Sequence, residues 1–310
     1  MSSGLEAIAN ELRRLQRDGV DRIFVKDHTL RLLVPKRDAQ DGQESKPAKS
    51  PDHADLKELV ERTSRSHKKP EVAAKATIKA TNLPDALPLP EAPQIELPEG
   101  DAATQLAWLR ERVLACDVCK AHLSEQGQVV FGCGSPQADI FFCGEAPGAD
   151  EELAGEPFAG KAGQLLAKII SAMGLSQETV YLATIMNWRP QHDKPYGDRP
   201  PSIEEMRFCL PYLQAQIEII RPKVIIALGN VAVTGLLGHD PNRKMGAIRG
   251  TWSAFKGIPL MATFHPSYLI RNDTLKTKRM VWEDMLQVME KCGLDVSEKQ
   301  RGFFLPRHGQ

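Results

Sequence analysis

The sequence has no apolar run long enough to span a bilayer, which excludes a membrane-spanning helix. Its first residues include acidic side chains and lack the apolar core of a secretory leader, so a reducing, cytoplasmic setting is expected, nucleoid-associated in a bacterium. In that setting the six cysteines point to metal ligation or core packing rather than a disulfide framework. Neither a G-x-G-x-x-G nor a P-loop fingerprint occurs, which argues against a small-nucleotide-binding domain. The formal net charge is zero, so there is no global electrostatic pull toward nucleic acid.

Residues 36–100 have few aromatics and no long apolar run, and are rich in Pro, Lys, Glu, Asp, Ala and Ser. Such a stretch buries too little surface to offset its ordering entropy and reads as a tether. Before it, Leu5, Ile8, Leu12 and Leu15 recur at helical spacing, followed by two short strand-like runs within residues 1–35. That module is too small to fold alone with ease, and reads either as a partly ordered tail or as a docking element for a repair or replication protein. Charge is uneven despite its zero sum. Residues 241–280 carry Arg243, Lys244, Arg249, Lys256, Arg271, Lys276, Lys278 and Arg279 against Asp273 alone, a segment suited to a phosphate backbone.

From residue 101 to 298 strand-like and helix-like runs alternate, with a tail at 299–310. Strands are expected at Ala138–Cys143, Val180–Met186, Lys223–Gly229 and Pro259–Thr263, and helices at Gly163–Met173, Ile203–Ile219, after Gly229 through Leu237, and at Lys278–Lys291. This rhythm predicts an α/β domain of three layers, α/β/α, around a central four-stranded parallel sheet. Ligands of such sheets sit at the carboxyl ends of the strands.

Two strand ends carry chemistry. After the first comes Gly144-Glu145-Ala146-Pro147-Gly148-Ala149-Asp150-Glu151-Glu152 and then Phe158. After the fourth comes His265-Pro266-Ser267-Tyr268-Leu269-Ile270-Arg271. An acidic loop beside DNA is unfavourable unless a carboxylate has work to do. Cleavage of an N-glycosidic bond gives it work: a carboxylate positions water and stabilises a cationic sugar, while an imidazole donates to the departing base. An aromatic face stacks on a flipped base, and an apolar side chain fills the vacated stack. Glu152 and Glu156 are expected to be solvated, Tyr268 to pack, and Arg249 to brace a turn or touch phosphate.

GEAPGADEELAGEPFAGKAGQLL, VYLAT…RP…EE…C, VIIALGNVA…LLG, IRGTW and HPSYLIR, in that order between about Leu114 and Val288, resemble the iron–sulfur, family-4 uracil-DNA glycosylases and their phage-polymerase-related relatives. The resemblance implies a glycosylase that hydrolyses uracil, or another deaminated base, from DNA as the first step of base excision repair, acting as a monomer. It assigns Glu151 to the attacking water, Glu145 and Ala146 to the same pocket, Phe158 to base stacking and His265 to catalysis. Ser267, Leu269, Ile270 and Arg271 are assigned to DNA, with Leu269 and Ile270 in the region that enters the duplex.

Two departures stand out. The base-reading Asn of the family falls on Thr184, whose short hydroxyl reads less than an amide. Asn187, three residues on, rescues the reading only if the strand has ended by then. The implied [4Fe–4S] cluster has ligand positions at Cys116, Cys119 and Cys209, but the fourth position is Trp188. Three thiolates leave one iron open; alternatively Trp188 packs over a vacant site. Cys133 is a substitute ligand, Cys143 a core residue and Cys292 a bystander. The segment Gln191–Asp198 is longer than the family pattern. These departures keep a second reading open, a DNA-binding accessory module of glycosylase fold with weak or no catalysis.

Overall fold

The computed structural model describes residues 89–191 and 198–305. The expected N-terminal module, the tether up to residue 88, the interior of the longer segment at 192–197 and the tail at 306–310 lie outside them.

The described chain begins with residues 89–101, which have no regular structure but place Leu89, Ile95 and Leu97 against the core. The last part of the expected tether is therefore packed. Asp101 caps α1 (Ala102–Ala115) by accepting from the Thr104 amide at 2.8 Å, and α2 (Asp117–Ala121) follows. Next come β1 (Cys133–Gly134), β2 (Ile140–Gly144), α3 (Ala149–Ala154), α4 (Lys161–Ala172) and β3 (Tyr181–Thr184). The second half holds α5 (Ile203–Ile220), β4 (Val224–Leu228), α6 (Gly229–Leu237), α7 (Met245–Ile248), β5 (Trp252–Phe255) and β6 (Ile258–Thr263). It ends with α8 (Pro266–Arg271), α9 (Leu275–Lys291) and α10 (Glu298–Arg301).

The sheet order is β1-β3-β2-β4-β6-β5. Its four central strands are parallel, as expected, in the register Phe142↔Leu182, Phe142↔Ile226 and Ile226↔Met261. Two antiparallel edges extend it to six strands. Neither edge carries a strong pattern: β1 has two residues, and β5 exposes Trp252, Ser253 and Ala254. The β5–β6 hairpin turns through Lys256 and Gly257, both at positive φ (48° and 81°), as a two-residue turn with strand-compatible twist requires.

Both sheet faces are covered. Phe141, Cys143, Ile225 and Ala227 pack with residues of α1, α5 and α6. The alternate residues Ile140, Phe142, Val224 and Ile226 pack with α4 and α9. Strands buried on both faces read as continuous apolar runs, which made these four legible. The C-terminal end also belongs to the domain: Trp282 Nε1 donates to the Gln300 carbonyl at 2.6 Å, Gln300 Nε2 donates to Ala172 O at 2.9 Å, and Phe303 packs on this second core. The expected boundary at 298 falls inside this clasp.

Candidate active site

A cavity of about 430 Å³ opens at the carboxyl ends of β2, β3 and β6. Glu145, Ala146, Glu151, Phe158, Thr184, His265, Ser267 and Arg271 line it, so most of the sequence-assigned residues converge. Asn187, Leu269 and Ile270 are not among them.

The two catalytic-carboxylate candidates differ in their bonding. Glu151 accepts from the backbone amide of Gly148 on one oxygen and of Gly160 on the other, each at 3.0 Å. It ties the start of α3 to the start of α4 and so braces the loop. Among the described residues Glu145 has no side-chain hydrogen bond of this kind. Burial first, and then the Asp198 carboxylate, raise its carboxyl above the usual range, while Arg271 partly offsets them. A desolvated carboxylate with no such donor among the described residues is available to a water. Glu152, expected in solvent, is buried and accepts from the Ser124 amide (3.0 Å) and Gln191 Nε2 (3.1 Å).

His265 sits just before α8 and caps it. The Ser267 amide donates to its Nδ1 at 3.2 Å, and the Ser267 hydroxyl lies 2.8 Å from the same nitrogen. A ring nitrogen that accepts carries no proton, so the neutral ring bears its hydrogen on Nε2. Burial first, then the charge of Arg271, push this imidazole down to about 4. His265 is therefore a neutral Nε2–H donor at physiological pH. Ser267, assigned to DNA from sequence, has its side chain engaged in fixing that tautomer.

Phe158 is buried, and its ring stacks toward His265 with centroids 6.3 Å apart at 25°. Its backbone lies in the left-handed region, φ 59°, which a side chain with a Cβ rarely adopts. Gly163 permits this turn: a Cβ there would stand 1.5 Å from the Phe158 carbonyl oxygen. Gly144 plays the same part for the ring, since its Cβ would meet Phe158 Cζ at 2.7 Å.

Thr184 donates its hydroxyl hydrogen to Met186 O at 2.8 Å. The hydroxyl is thus not a free rotor; it offers the pocket an acceptor lone pair and a methyl group. Asn187 is buried outside the cavity lining, where its side-chain amide donates to Val130 O (2.9 Å) and its backbone carbonyl accepts from Val130 N (2.8 Å).

The wedge assignment also changes. Leu269 is 4% exposed, whereas Ile270 is 46% and Tyr268 37% exposed, with Tyr268 stacked on Phe264 at 4.6 Å. The outward apolar surface of α8 is Ile270 and Tyr268, because a six-residue helix buries one face on α4. The basic segment is likewise thinner than its sequence. Arg249 is an internal brace, paired with buried Asp284 and donating to Met280 O at 2.7 Å. Arg279 binds Glu283 and two C-terminal carbonyls, Lys278 pairs with Asp273, and Lys256 lies in the hairpin turn at the opposite end of β6. Arg271 and Lys276 remain exposed near the cavity side of the fold.

The donor set for a cubane is incomplete. Cys119 neighbours both Cys116 and Cys209, with the Tyr212 hydroxyl beside Cys116. Contact with Cys119 and burial push the Cys116 thiol up. At Cys119 contact with Cys116 lowers the thiol, but contact with Cys209 and burial outweigh it. A cubane takes four protein ligands, and the segments that meet here offer three thiols. Trp188 fills the fourth position, 1% exposed. Cys133 packs with the core on the other face of the sheet and supplies no fourth ligand. Cys143 is a core residue, as expected.

The family model for the Uracil DNA glycosylase superfamily matches residues 131–286, which include every residue lining the cavity. The chain is 38% identical over 178 residues to a type-4 uracil-DNA glycosylase of Thermotoga maritima, covering 56% of this chain and 88% of that protein. A type-4 uracil-DNA glycosylase of Saccharolobus solfataricus is 36% identical, with 60% of this chain and 85% of that protein aligned. A DNA polymerase of Bacillus phage SP01 matches at 29% identity over 45% of this chain and 14% of its own length. With its cavity residues inside the matched segment, the chain belongs to the uracil DNA glycosylase superfamily.

Proposed function

We propose that the protein is a uracil-DNA glycosylase that hydrolyses the bond between uracil and deoxyribose in DNA. The observation that carries this reading is the neutral His265 Nε2–H beside the Phe158 ring, with the desolvated Glu145 carboxylate in the same cavity. A uracil turned out of the helix stacks on Phe158. As the glycosidic bond stretches, negative charge gathers on the base, and Nε2–H donates to its carbonyl oxygen. A neutral donor suits an anionic leaving group without first surrendering a proton. Glu145 holds and deprotonates the water that attacks the sugar carbon, and its charge steadies the oxocarbenium ion. Glu151 keeps the loop carrying Glu145 and Phe158 closed. Ile270 and Tyr268 are the apolar surface that fills the vacated stack, and Arg271 and Lys276 meet the phosphates. No step is routed through a metal cluster.

The test is base release from oligonucleotides holding uracil opposite A, opposite G or unpaired, read as alkali-cleavable abasic sites. Uracil release by the wild type, lost in His265→Ala with DNA binding kept, is the expected result. Tight DNA binding with no base release on any substrate refutes the enzyme and leaves an accessory module.

A further inference from the structure

We propose that Trp188 is an apolar brace that replaces a metal cluster, and that the domain reaches its folded, DNA-competent form without iron or sulfide. The indole is buried and stacks on the His122 ring, with centroids 4.7 Å apart at 17°. On another side it meets Phe208 at 6.0 Å and 56°, and Phe208 in turn meets Tyr212 edge-on at 6.4 Å. His122 follows α2, which carries Cys119; Trp188 lies in the loop after β3; Phe208 precedes Cys209 in α5. The aromatic stack therefore joins the same three segments that a shared cluster joins through thiolates. Leu89, Ile95 and Leu97 close over this core from outside.

The brace also bears on the cavity. Arg189 follows Trp188 directly and reaches two carboxylates, Asp198 and Glu152. Asp198 lines the cavity, and Glu152 holds the Ser124 amide. Arg199 then binds Glu205 in a two-bond pair of 2.6 Å each, at the start of α5. Pro190, Asp198 and Arg199 all line the cavity; Pro190 lies two residues after Trp188, and Asp198 is held by Arg189. Trp188 is thus a positioning residue, and substitution there reaches the site through Arg189 and Asp198.

The full chain, purified without oxygen, should contain no stoichiometric iron or acid-labile sulfide, and an iron chelator should leave its melting midpoint unchanged. Trp188→Ala should lower that midpoint by about 6–20 °C, the scale for deleting a buried aromatic in a domain this size. It should also raise KM for uracil-containing DNA, and Trp188→Phe should restore most of both. Trp188→Cys should behave like the Ala variant and gain no iron. Four irons and four sulfides in the wild type, a chelator-sensitive midpoint, or an iron-loaded and stabilised Trp188→Cys would each overturn the proposal. So would a Trp188→Ala variant that melts like the wild type.

Discussion

Replacing each pocket carboxylate by its amide separates the one that does chemistry from the one that holds the loop. In Glu151→Gln the new carbonyl oxygen keeps one of the two backbone donors, Gly148 or Gly160. The new NH2 group faces the other donor, so one charge-assisted bond is lost and an amide is left opposed. Bonds to a charged acceptor are worth about 1.5–3 kcal/mol, and partial burial places the cost near the lower half, about 2 kcal/mol. For a domain of this size that is about 4–8 °C in the melting midpoint. Glu145→Gln removes a carboxylate that burial already disfavours, so the midpoint should hold or rise slightly. Base release should respond in the opposite order. Loss of a general base lowers the rate by about 10²–10⁴-fold, and this loss belongs to Glu145→Gln. The assay is single-turnover cleavage of a uracil oligonucleotide, run beside thermal melts of the same preparations. A Glu145→Gln enzyme with near wild-type turnover, together with a stable but inactive Glu151→Gln, refutes the division of roles.

Four further outcomes rest on the same geometry. His265 titrates near 4 in the folded state against 6.5 for the free side chain, so the unfolded chain binds more protons between those values and stability falls as pH drops from 6.5 toward 4; urea unfolding at both ends of that window should show the wild type losing about 2–3 kcal/mol more than His265→Gln, and equal losses contradict the neutral assignment. The acid limb of turnover should instead follow the raised carboxyl of Glu145, since its ionised form takes the proton from water. Thr184→Asn should raise uracil release and sharpen preference over hypoxanthine, whereas Asn187→Ala should lower stability with base preference unchanged; a switch in preference at 187 would mean the pocket extends past β3. Affinity for DNA should fall with salt, and Arg271→Ala should flatten that dependence by about one ion, while Lys256→Ala should leave it alone; an unchanged slope for Arg271→Ala moves the phosphate track elsewhere.

The legible parts of this molecule are those fixed by short-range pattern. Continuous apolar runs such as Val224–Leu228 announced strands buried on both faces, whereas strand parity left Asn187 open, because β3 ends at Thr184. The strand ends at Glu145 and His265 followed from the parallel topology. What stayed hidden depends on distant partners. Glu151 and Glu145 are both acidic loop residues in sequence, and only the amides of Gly148 and Gly160 tell them apart. Leu269 and Ile270 are adjacent apolar residues, and the side of α8 that meets α4 decides which is outward. The basic run at 241–280 was overread because the acidic partners of Arg249 and Arg279 lie beyond its end, at Asp284 and Glu283. Residues 89–97 read as tether because three apolar side chains spread over nine positions make no periodic signal.

The turn at Phe158 has a consequence for how this site can change by mutation. Position 163 accepts only glycine, because the carbonyl of residue 158 already occupies the space of its Cβ. Position 158 has a backbone that glycine adopts freely and that costs an ordinary residue on the order of 1 kcal/mol, yet it carries the ring. A single exchange at 163 displaces the aromatic, and a single exchange at 158 to glycine relaxes the backbone while removing the stacking surface. Neither position offers a neutral first step, so the pair must travel together. Sequence drift around the cavity is thereby channelled toward positions such as Thr184, which lines the cavity with an ordinary strand backbone.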